Sequence, residues 1–308
     1  MILTLTVNPA LDKSSSVTQV VPDNKLQCRP PNYDPGGGGI NVARVIKRLG
    51  GDPLALFQAS GPAGNLLQSL LQEEGVNTTT YDTAAWTREN FVVVDESTKQ
   101  QYRFGMQGPT YTIDEVQQCQ QLVYETAKDL EFLVLSGSLA PGMPADFYAD
   151  ICRWAKNNGI KVILDTSGEA LPEGLKEGVH LIKPNLRELS LLAGRESISG
   201  LEQEDIAMQF VQEGKAEIIV VSLGPRGAMM ASKEGIHYVT PPTIVPKSTV
   251  GAGDSMVAGM TWALSNKLPL KTTLQYGVAC GTAATMNEGT GLCKVEDIKL
   301  IYNWLVKQ

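Results

Sequence analysis

The feature that most constrains the fold is a series of short apolar runs separated by helical patterns. The runs are nearly continuous aliphatic segments, which is typical of parallel strands buried on both faces. They are Leu3–Val7, Leu54–Phe57, Phe132–Leu135, Val162–Leu164 and Ile218–Val221. Between two of them, Thr112 and Glu115 form a capping-box pattern that predicts a helix start. The alternation predicts an α/β fold with a doubly wound, mostly parallel sheet.

Two stretches, residues 13–33 and 86–106, do not follow this alternation. The first contains Val17–Val21, and the second contains Phe91–Val94 and Gln101–Phe104 with a polar turn between them. Both patterns favour antiparallel strands that are half exposed to solvent. We interpret them as a small β lid inserted into a single domain that spans residues 1–308. The alternative is an extra hairpin at the edge of the main sheet.

Composition and charge limit the classes of partner. The chain has 308 residues, a formal net charge of -7 and a pI of about 5.0, which argues against a nucleic-acid-binding protein. Its five cysteines are scattered without a CxxC pair, as expected for free thiols in a reducing compartment. The N-terminus lacks the pattern of a signal peptide, and no apolar run approaches the ~20 residues of a membrane helix. We therefore expect a cytoplasmic protein without membrane contact.

The segment Thr249–Ser255 (TVGAGDS) is the first candidate for a catalytic site. Gly251 and Gly253 allow close approach of the backbone, and a helical pattern begins directly after them. Free N–H groups at a helix start bind anions, and the helix dipole assists them. Asp254 is then either a helix cap or a general base beside the anion.

A run of four glycines and several cations provide further candidates. The segment Pro35–Asn41 (PGGGGIN) precedes a helix, but no Lys-Ser or Lys-Thr follows it, so it is not a Walker A loop. Lys25, Arg88 and Arg103 lie in or beside the predicted lid, and arginine suits a phosphate group well. Each of these signals is weak by itself, because glycine runs and surface charges are common.

Taken in order along the chain, four motifs resemble the ribokinase-like sugar kinases of the PfkB family. They are Asn8–Asp12 (NPALD), Gly36–Asn41, Lys183-Pro184-Asn185 with Glu188, and Gly251–Asp254 (GAGD). The resemblance covers essentially the whole chain. It implies an ATP-dependent kinase of a phosphorylated ketohexose, with fructose 6-phosphate giving the 1,6-bisphosphate in glycolysis.

Two alternatives to this activity remain. The branches that act on tagatose 6-phosphate and fructose 1-phosphate more often read GGKG in the glycine run, whereas Gly38 stands at that place here. A protein that binds a sugar or nucleotide without turnover belongs to another class, and the intact Asp254 argues against it.

The resemblance also implies a role for individual residues. Asp254 would be the general base, and Gly251, Ala252 and Gly253 would form the anion hole. The residues implied to bind the sugar phosphate are Asp12, Lys25, Gly37, Gly38, Asn41, Arg88 and Ser138. Those implied to bind ATP are Lys183, Asn185, Ser222, Gly224, Gly227 and Ser248.

Two metal ions and a partner chain complete the expectations. The resemblance implies Mg²⁺ with ATP, near Glu188 through water, although this ion needs few direct protein ligands. It also implies a K⁺ site, although relatives tend to carry Arg where Gly291 stands. The residues of that site would be Ser248, Val250, Ala284, Asn287 and Gly289.

A homodimer through the lid is expected from the residues themselves. The strand Phe91–Val94 is apolar on both faces, and Tyr102 and Phe104 add aromatic side chains to the strand beside it. An apolar outer face usually marks a partner surface, and a second copy of the chain is the simplest partner. The alternative is that these side chains pack onto the chain's own large domain.

Overall fold

The computed structural model describes residues 1–128, 130–200, 202–287 and 289–308. Across these residues the main sheet has nine strands. In the order in which they lie side by side, they are β13 (Gly235–Val239), β12 (Ala228–Ser232), β11 (Ala216–Ser222), β10 (Val179–Ile182), β9 (Lys161–Asp165), β8 (Phe132–Ser136), β1 (Ile2–Thr6), β4 (Pro53–Gln58) and β5 (Asn77–Tyr81).

The apolar runs of the sequence form the centre of this sheet. Every residue of β1 and of β8 is buried, because helices cover both faces. Pairing is parallel from β5 across to β11, and β12 and β13 continue the sheet in antiparallel fashion. The predicted doubly wound, mostly parallel α/β sheet is confirmed.

The helices lie in two layers, one on each face of the main sheet. Within the described residues they are α1 (Gly38–Arg48), α2 (Gly61–Glu73), α3 (Ile113–Thr126), α4 (Phe147–Asn157), α5 (Ala170–Lys176), α6 (Leu186–Leu192), α7 (Glu202–Gln212), α8 (Ala252–Ser265), α9 (Leu270–Thr285) and α10 (Val295–Leu305). Cores built around Leu133 and around Val134 pack α3–α7 on one face and α1 with α8–α10 on the other. The capping box of Thr112 and Glu115 begins α3 as predicted.

A second, four-stranded sheet stands apart from the main one in the described part of the chain. Its order is β3 (Asn32–Gly36), β2 (Ala10–Val17), β6 (Arg88–Asp95) and β7 (Gln101–Phe104). The hairpin of β6 and β7 is antiparallel as expected, whereas β2 and β6 pair in parallel. The predicted strand at Val17–Val21 is wrong, because β2 already ends at Val17. A lid function for this sheet stays a prediction.

The start of α1 lies over the carboxyl ends of β1 and β8, where the chain order of the main sheet changes direction. A Cβ atom on Gly39 would lie 2.6 Å from the Leu5 carbonyl oxygen, and one on Gly38 would overlap the Ser136 hydroxyl. Glycine is therefore needed for this close approach. In open α/β sheets, ligands bind at such a switch point. No helix among the described residues has both the length and the apolar character needed to cross a bilayer.

Candidate active site

Asp254 lies in the first turn of α8 and faces Asn41 on α1. The helix begins at Ala252, directly after Gly251, whose φ of 70° is favourable for glycine. The Asp254 side chain does not cap the helix; its Oδ2 accepts a hydrogen bond of 2.8 Å from Asn41 Nδ2 on α1. The geometry therefore favours the reading of Asp254 as a reacting group over the reading as a cap.

The surroundings of Asp254 bring the pKa of its carboxyl group closer to neutral pH. Burial, and after it the nearby negative charge of Asp165, raise the pKa of the Asp254 carboxyl, which moves from 3.8 to about 6. The hydrogen bond from Asn41 and the charge of Lys183 act in the opposite direction. A carboxylate with a pKa just below the working pH suits a general base.

Lys183 brings a positive charge to the start of α8. It follows β10, its side chain is only 9% exposed, and its Nζ lies 3.5 Å from Asp165 Oδ1. A Cβ atom on Gly253 would lie 3.4 Å from the same Nζ. Burial disfavours the charged form, but Asp165, Glu188 and Asp254 outweigh it and raise the pKa of Lys183. The ammonium group therefore stays charged beside the backbone N–H groups of the helix start.

A second carboxylate among the predicted site residues, Asp12, lies on β2. Its Oδ1 accepts a hydrogen bond of 2.8 Å from Asn90 Nδ2 on β6. Burial raises the pKa of Asp12, while the Asn90 hydrogen bond and the charge of Arg88 lower it. The second sheet thus holds a hydrogen-bonded carboxylate at the end that faces the main domain.

Arg88 is anchored by backbone carbonyl groups. Its Nε, Nη1 and Nη2 donate to the carbonyl oxygens of Pro9, Met106 and Asn8 at 3.3, 2.9 and 3.0 Å. A guanidinium group has five N–H donors, so two remain for an anion. Lys25, by contrast, is exposed between β2 and β3 and makes no hydrogen bond or ion pair with the described residues.

The remaining sugar-side predictions cluster at the switch point. Gly37 has a φ of 121°, and a Cβ atom there would lie 2.6 Å from Thr6 Cγ2, so a side chain does not fit. Ser138 is exposed after β8, and its hydroxyl accepts a weak hydrogen bond of 3.5 Å from Asn8 Nδ2. Ser138 therefore lies beside Asn8, whose carbonyl group anchors Arg88.

A cavity of about 360 Å³ lies against the start of α8, with Ala252 and Gly253 in its wall. Three predicted nucleotide residues line it, namely Ser222, Gly224 and Gly227. The wall opposite them includes Ile244 from the loop before α8 and Thr282 from α9. Apolar surfaces with a few polar groups are typical of a small-molecule pocket.

The other predicted nucleotide and metal residues lie around this cavity rather than in its wall. Asn185 and Glu188 form a reciprocal capping box at the start of α6, with hydrogen bonds of 2.9 and 2.8 Å. Ser248 Oγ donates to the Gly289 carbonyl oxygen at 3.0 Å and accepts from Val250 N at 3.2 Å. The Ala284 carbonyl oxygen accepts from the backbone N–H of Asn287 at 3.2 Å. Asn185 and Glu188 are thus partly used by the fold itself.

Three residues that the sequence did not single out contribute to the site. Asp165 contacts Lys183 and affects the pKa of Asp254, Asn90 holds Asp12, and Ile244 lines the cavity. Only Asp165 carried a readable signal, because it directly follows a buried strand on the edge where ligands bind. Within the described residues, no group of three or more acidic, His or Cys side chains could hold a metal ion by itself.

A family model described as the pfkB family carbohydrate kinase matches residues 6–297. The chain belongs to this family. The predicted family is thereby confirmed, and with it the class of enzyme, a kinase that transfers phosphate to a carbohydrate hydroxyl group.

Individual relatives are similar to this chain over nearly its full length. The chain is 44% identical over 305 residues to the ATP-dependent 6-phosphofructokinase isozyme 2 of Escherichia coli, covering 99% of this chain and 98% of the relative. It is 43% identical over 304 residues to the enzyme of the same name from Mycobacterium tuberculosis, covering 98% and 88%. The crystal structure of phosphofructokinase-2 from Escherichia coli in complex with potassium superimposes with a TM-score of 0.95 at 43% identity, covering 99% of both chains.

Proposed function

We propose that this chain phosphorylates fructose 6-phosphate with ATP and produces fructose 1,6-bisphosphate and ADP. The observation that carries the proposal is the position of Asp254, in the first turn of α8 and hydrogen-bonded to Asn41 on the sugar side. Two full-length relatives are named for this activity. The function expected from the sequence agrees with these names.

In the proposed reaction, Asp254 accepts the proton of the sugar hydroxyl group as that oxygen attacks the γ-phosphate. Asn41 donates to one carboxylate oxygen, which fixes the side chain and leaves the other oxygen to face the hydroxyl group. The pKa of about 6 keeps Asp254 ionised at neutral pH. It also keeps the group basic enough to take part in the proton transfer.

The transferred phosphoryl group lies at the start of α8. The N–H groups of Gly253 and Asp254 have no partner within the helix, so they can stabilise the charge that develops on this group. The N–H group of Ala252 donates at 3.4 Å to the Thr249 carbonyl oxygen and would turn to the phosphoryl group from this long bond. Lys183 adds a full positive charge next to Gly253. Asp254 tolerates this phosphate because the same cation and the helix dipole offset the repulsion.

The phosphate already present on the sugar binds at the second sheet. Arg88 has two N–H donors left after its three backbone contacts, which is the number that a bidentate phosphate contact needs. We assign Asp12 and Asn41 to the sugar hydroxyl groups, and Lys25 and Ser138 to the phosphate together with Arg88.

Two metal ions accompany the proposal. Mg²⁺ bound to the ATP phosphates would neutralise charge on the transferred group, and the Asp165 and Glu188 carboxylates beside Lys183 suit a contact to it through water. K⁺ suits the carbonyl groups of Val250, Ala284 and Gly289, together with Ser248 and Asn287 near the same turn. A structural relative was solved in complex with potassium.

The second sheet also supports the proposal of a homodimer. Phe91 and Val93 on β6 pair with Phe104 and Tyr102 on β7, so these four side chains share one face and line an open groove with Leu26. Tyr102 is 38% and Phe104 49% exposed, which supports a partner surface rather than packing of these two side chains onto the chain's own large domain. Val92 belongs to the opposite face. A wild type that is monomeric at micromolar concentration in light scattering, yet fully active, contradicts the dimer.

The activity is tested by ADP release from ATP with fructose 6-phosphate, tagatose 6-phosphate, fructose 1-phosphate and fructose as separate substrates. We expect the highest kcat/KM for fructose 6-phosphate. A higher kcat/KM for either of the other phosphates would assign the chain to that branch of the family. Binding of these sugars without any ADP release would instead indicate a binding protein.

A further inference from the structure

A network of charged side chains lies behind the glycine run, outside the residues assigned so far. Arg44 on α1 is only 2% exposed, and its Nη2 lies 2.6 Å from Glu74 Oε1 at the end of α2. Its Nη1 donates to the Pro35 carbonyl oxygen at 2.9 Å. A buried guanidinium group with a bidentate carboxylate partner is a rigid anchor. Arg44 therefore fixes the backbone where it enters the glycine run.

Asp34 connects this anchor to a distant part of the chain. It lies on β3 directly opposite Asp12, and its Oδ1 lies 3.9 Å from Arg44 Nη2. Its other oxygen accepts a hydrogen bond of 2.8 Å from Thr290 Oγ1. Thr290 belongs to the segment of residues 289–293 that follows α9, which we name the 289–293 loop. The sugar side of the site thus holds this loop through one hydrogen bond.

Arg48, in the last turn of α1, holds the same loop from a second direction. Its Nη1 donates to the carbonyl oxygens of Gly291 and Cys293 at 3.0 and 3.1 Å. Its Nη2 lies 3.6 Å from Glu74 Oε2, so both arginines share one carboxylate. Asp34 and Arg48 therefore hold the 289–293 loop through two separate sets of hydrogen bonds.

The loop in turn contacts the anion hole. Leu292 is 1% exposed and has a φ of 53°, a left-handed conformation that is uncommon for a residue with a bulky side chain. A Cβ atom on Gly251 would lie 2.5 Å from Leu292 Cδ2, so the leucine side chain lies against the glycine backbone. Such a conformation persists only where its surroundings hold it. The hydrogen bonds from Arg48 to the carbonyl groups of Gly291 and Cys293, on either side of Leu292, supply that restraint together with the bond from Thr290 to Asp34.

We propose that Asp34, Thr290 and Arg48 are positioning residues for phosphoryl transfer. They hold the 289–293 loop so that Leu292 fixes Gly251 and, with it, the direction of the N–H groups at the start of α8. The inference rests on the proposed function, because the anion hole matters only if a phosphoryl group is transferred there. The predicted signature is a loss of kcat without a loss of binding, since none of these residues is among those assigned to either substrate.

Thr290→Val tests the proposal because it removes the hydroxyl group and leaves the shape of the side chain unchanged. We expect kcat to fall about tenfold, less than the ~10²–10³-fold loss on removal of an oxyanion donor. KM for both substrates should stay within about twofold. Thr290→Ser, which keeps the hydroxyl group, should restore kcat. Thr273→Val is the matched control. Thr273 lies in the first turn of α9, and the change removes a buried hydroxyl group that donates to the Leu268 carbonyl oxygen before the helix.

A second measurement does not depend on activity. Amide hydrogen exchange of peptides covering residues 249–254 should be faster in Thr290→Val than in the wild type, and unchanged in Thr273→Val. Arg48→Gln weakens the hydrogen bonds to the Gly291 and Cys293 carbonyl groups. It should likewise lower kcat and speed exchange in residues 249–254. An unchanged kcat in Thr290→Val, a serine variant no better than the valine variant, or unchanged exchange would each overturn the proposal.

The two readouts separate this inference from the proposed function. A wild type that turns over none of the sugar phosphates refutes the proposed function and the effect on kcat. The exchange experiment still decides whether the 289–293 loop restrains Gly251. If the wild type is active, and if Thr290→Val and Arg48→Gln both show normal turnover and normal exchange, the inference alone is refuted.

Discussion

The two ends of the active site differ in the forces that they offer a ligand. The proposed nucleotide end is a cavity whose wall consists of small polar, glycine, proline and apolar residues, including Ser222, Ile244 and Val278. The sugar end consists of charged and amide side chains, including Asp12, Asn90 and Arg88. Shape and apolar contact therefore dominate at the nucleotide end, and charge dominates at the sugar end.

The difference follows from how each end is built. Helices α8 and α9 form the nucleotide end and pack into the core of the main sheet, so its shape is present before a ligand arrives. The sugar end lies on the small second sheet, which has little core of its own, and its geometry depends on side-chain hydrogen bonds. Asp254 lies between the two ends, bonded to Asn41 on one side and close to Lys183 on the other. Substitutions at the two ends should therefore change different kinetic constants of the enzyme.

The largest effect is expected at the junction. Asp254→Asn should lower kcat by ~10²–10⁴-fold, because the amide cannot accept the hydroxyl proton, while sugar binding stays largely intact. Steady-state kinetics with fructose 6-phosphate measure it. Asp297→Asn is the matched control, since Asp297 is also the third residue of its helix, α10. A near-normal kcat in Asp254→Asn would remove Asp254 from the mechanism.

The same variant separates a base from a helix cap by the sign of its effect on stability. Loss of a cap costs ~1 kcal/mol of unfolding free energy. Asp254 has a folded-state pKa raised from 3.8 to about 6, so the fold loses stability as the pH rises through that range. Asp254→Asn should therefore be more stable than the wild type above pH 6, by up to ~3 kcal/mol. Urea unfolding at pH 8 and pH 4 should show this difference at pH 8 only.

The sugar end is tested by the charge of Arg88. Arg88→Ala should lower kcat/KM for fructose 6-phosphate about 10²-fold and should affect unphosphorylated fructose much less, because only the former has a phosphate to lose. Arg103→Ala is the control, since this exposed arginine on β7 forms a hydrogen bond only with Gln101 among the described side chains. Equal losses on both sugars would mean that Arg88 serves only to hold the backbone at Asn8 and Pro9.

The nucleotide end is tested by its shape. Ile244→Asp places a carboxylate in the apolar wall and should raise KM for ATP about tenfold with little change in KM for the sugar. Val245→Asp adds the same charge at the next residue, which is 88% exposed and outside the cavity wall, and should leave KM for ATP unchanged. If both variants raised KM for ATP equally, charge rather than shape would govern this end as well.

The sequence predicted the main sheet far better than the second sheet, for a physical reason. Strands such as β1 and β8 are buried on both faces, so most of their residues are apolar and their bounds are readable within two residues. Strand β2 contains Lys13 and Ser14–Ser16, because its middle is only partly buried. Its pairing with β3 and β6 is therefore determined by tertiary contacts that leave no periodic pattern.

In the candidate site as well, the local motif could be predicted from the sequence, whereas the contacts between distant residues could not. Asp254 and the glycines around it belong to one local motif, since an anion hole needs a flexible turn next to a helix start. The contacts of Asp165 with Lys183, of Asn90 with Asp12, and of Thr290 with Asp34 join residues 18, 78 and 256 positions apart. Each of these side chains is common on protein surfaces, and only the folded chain shows which of them meet.

The measurement that tests the account most directly is the pH dependence of kcat/KM for fructose 6-phosphate in the wild type and in Asn41→Ala. The wild type should lose activity as the pH falls through about 6, because Asp254 becomes protonated. Removing the Asn41 hydrogen bond, which lowers the pKa of Asp254, should move this acid limb to higher pH. The substrate phosphate titrates in the same range but identically for both enzymes, so the shift belongs to the protein. An acid limb at the same pH in both enzymes would contradict the claim that Asp254, held from the sugar side, is the base.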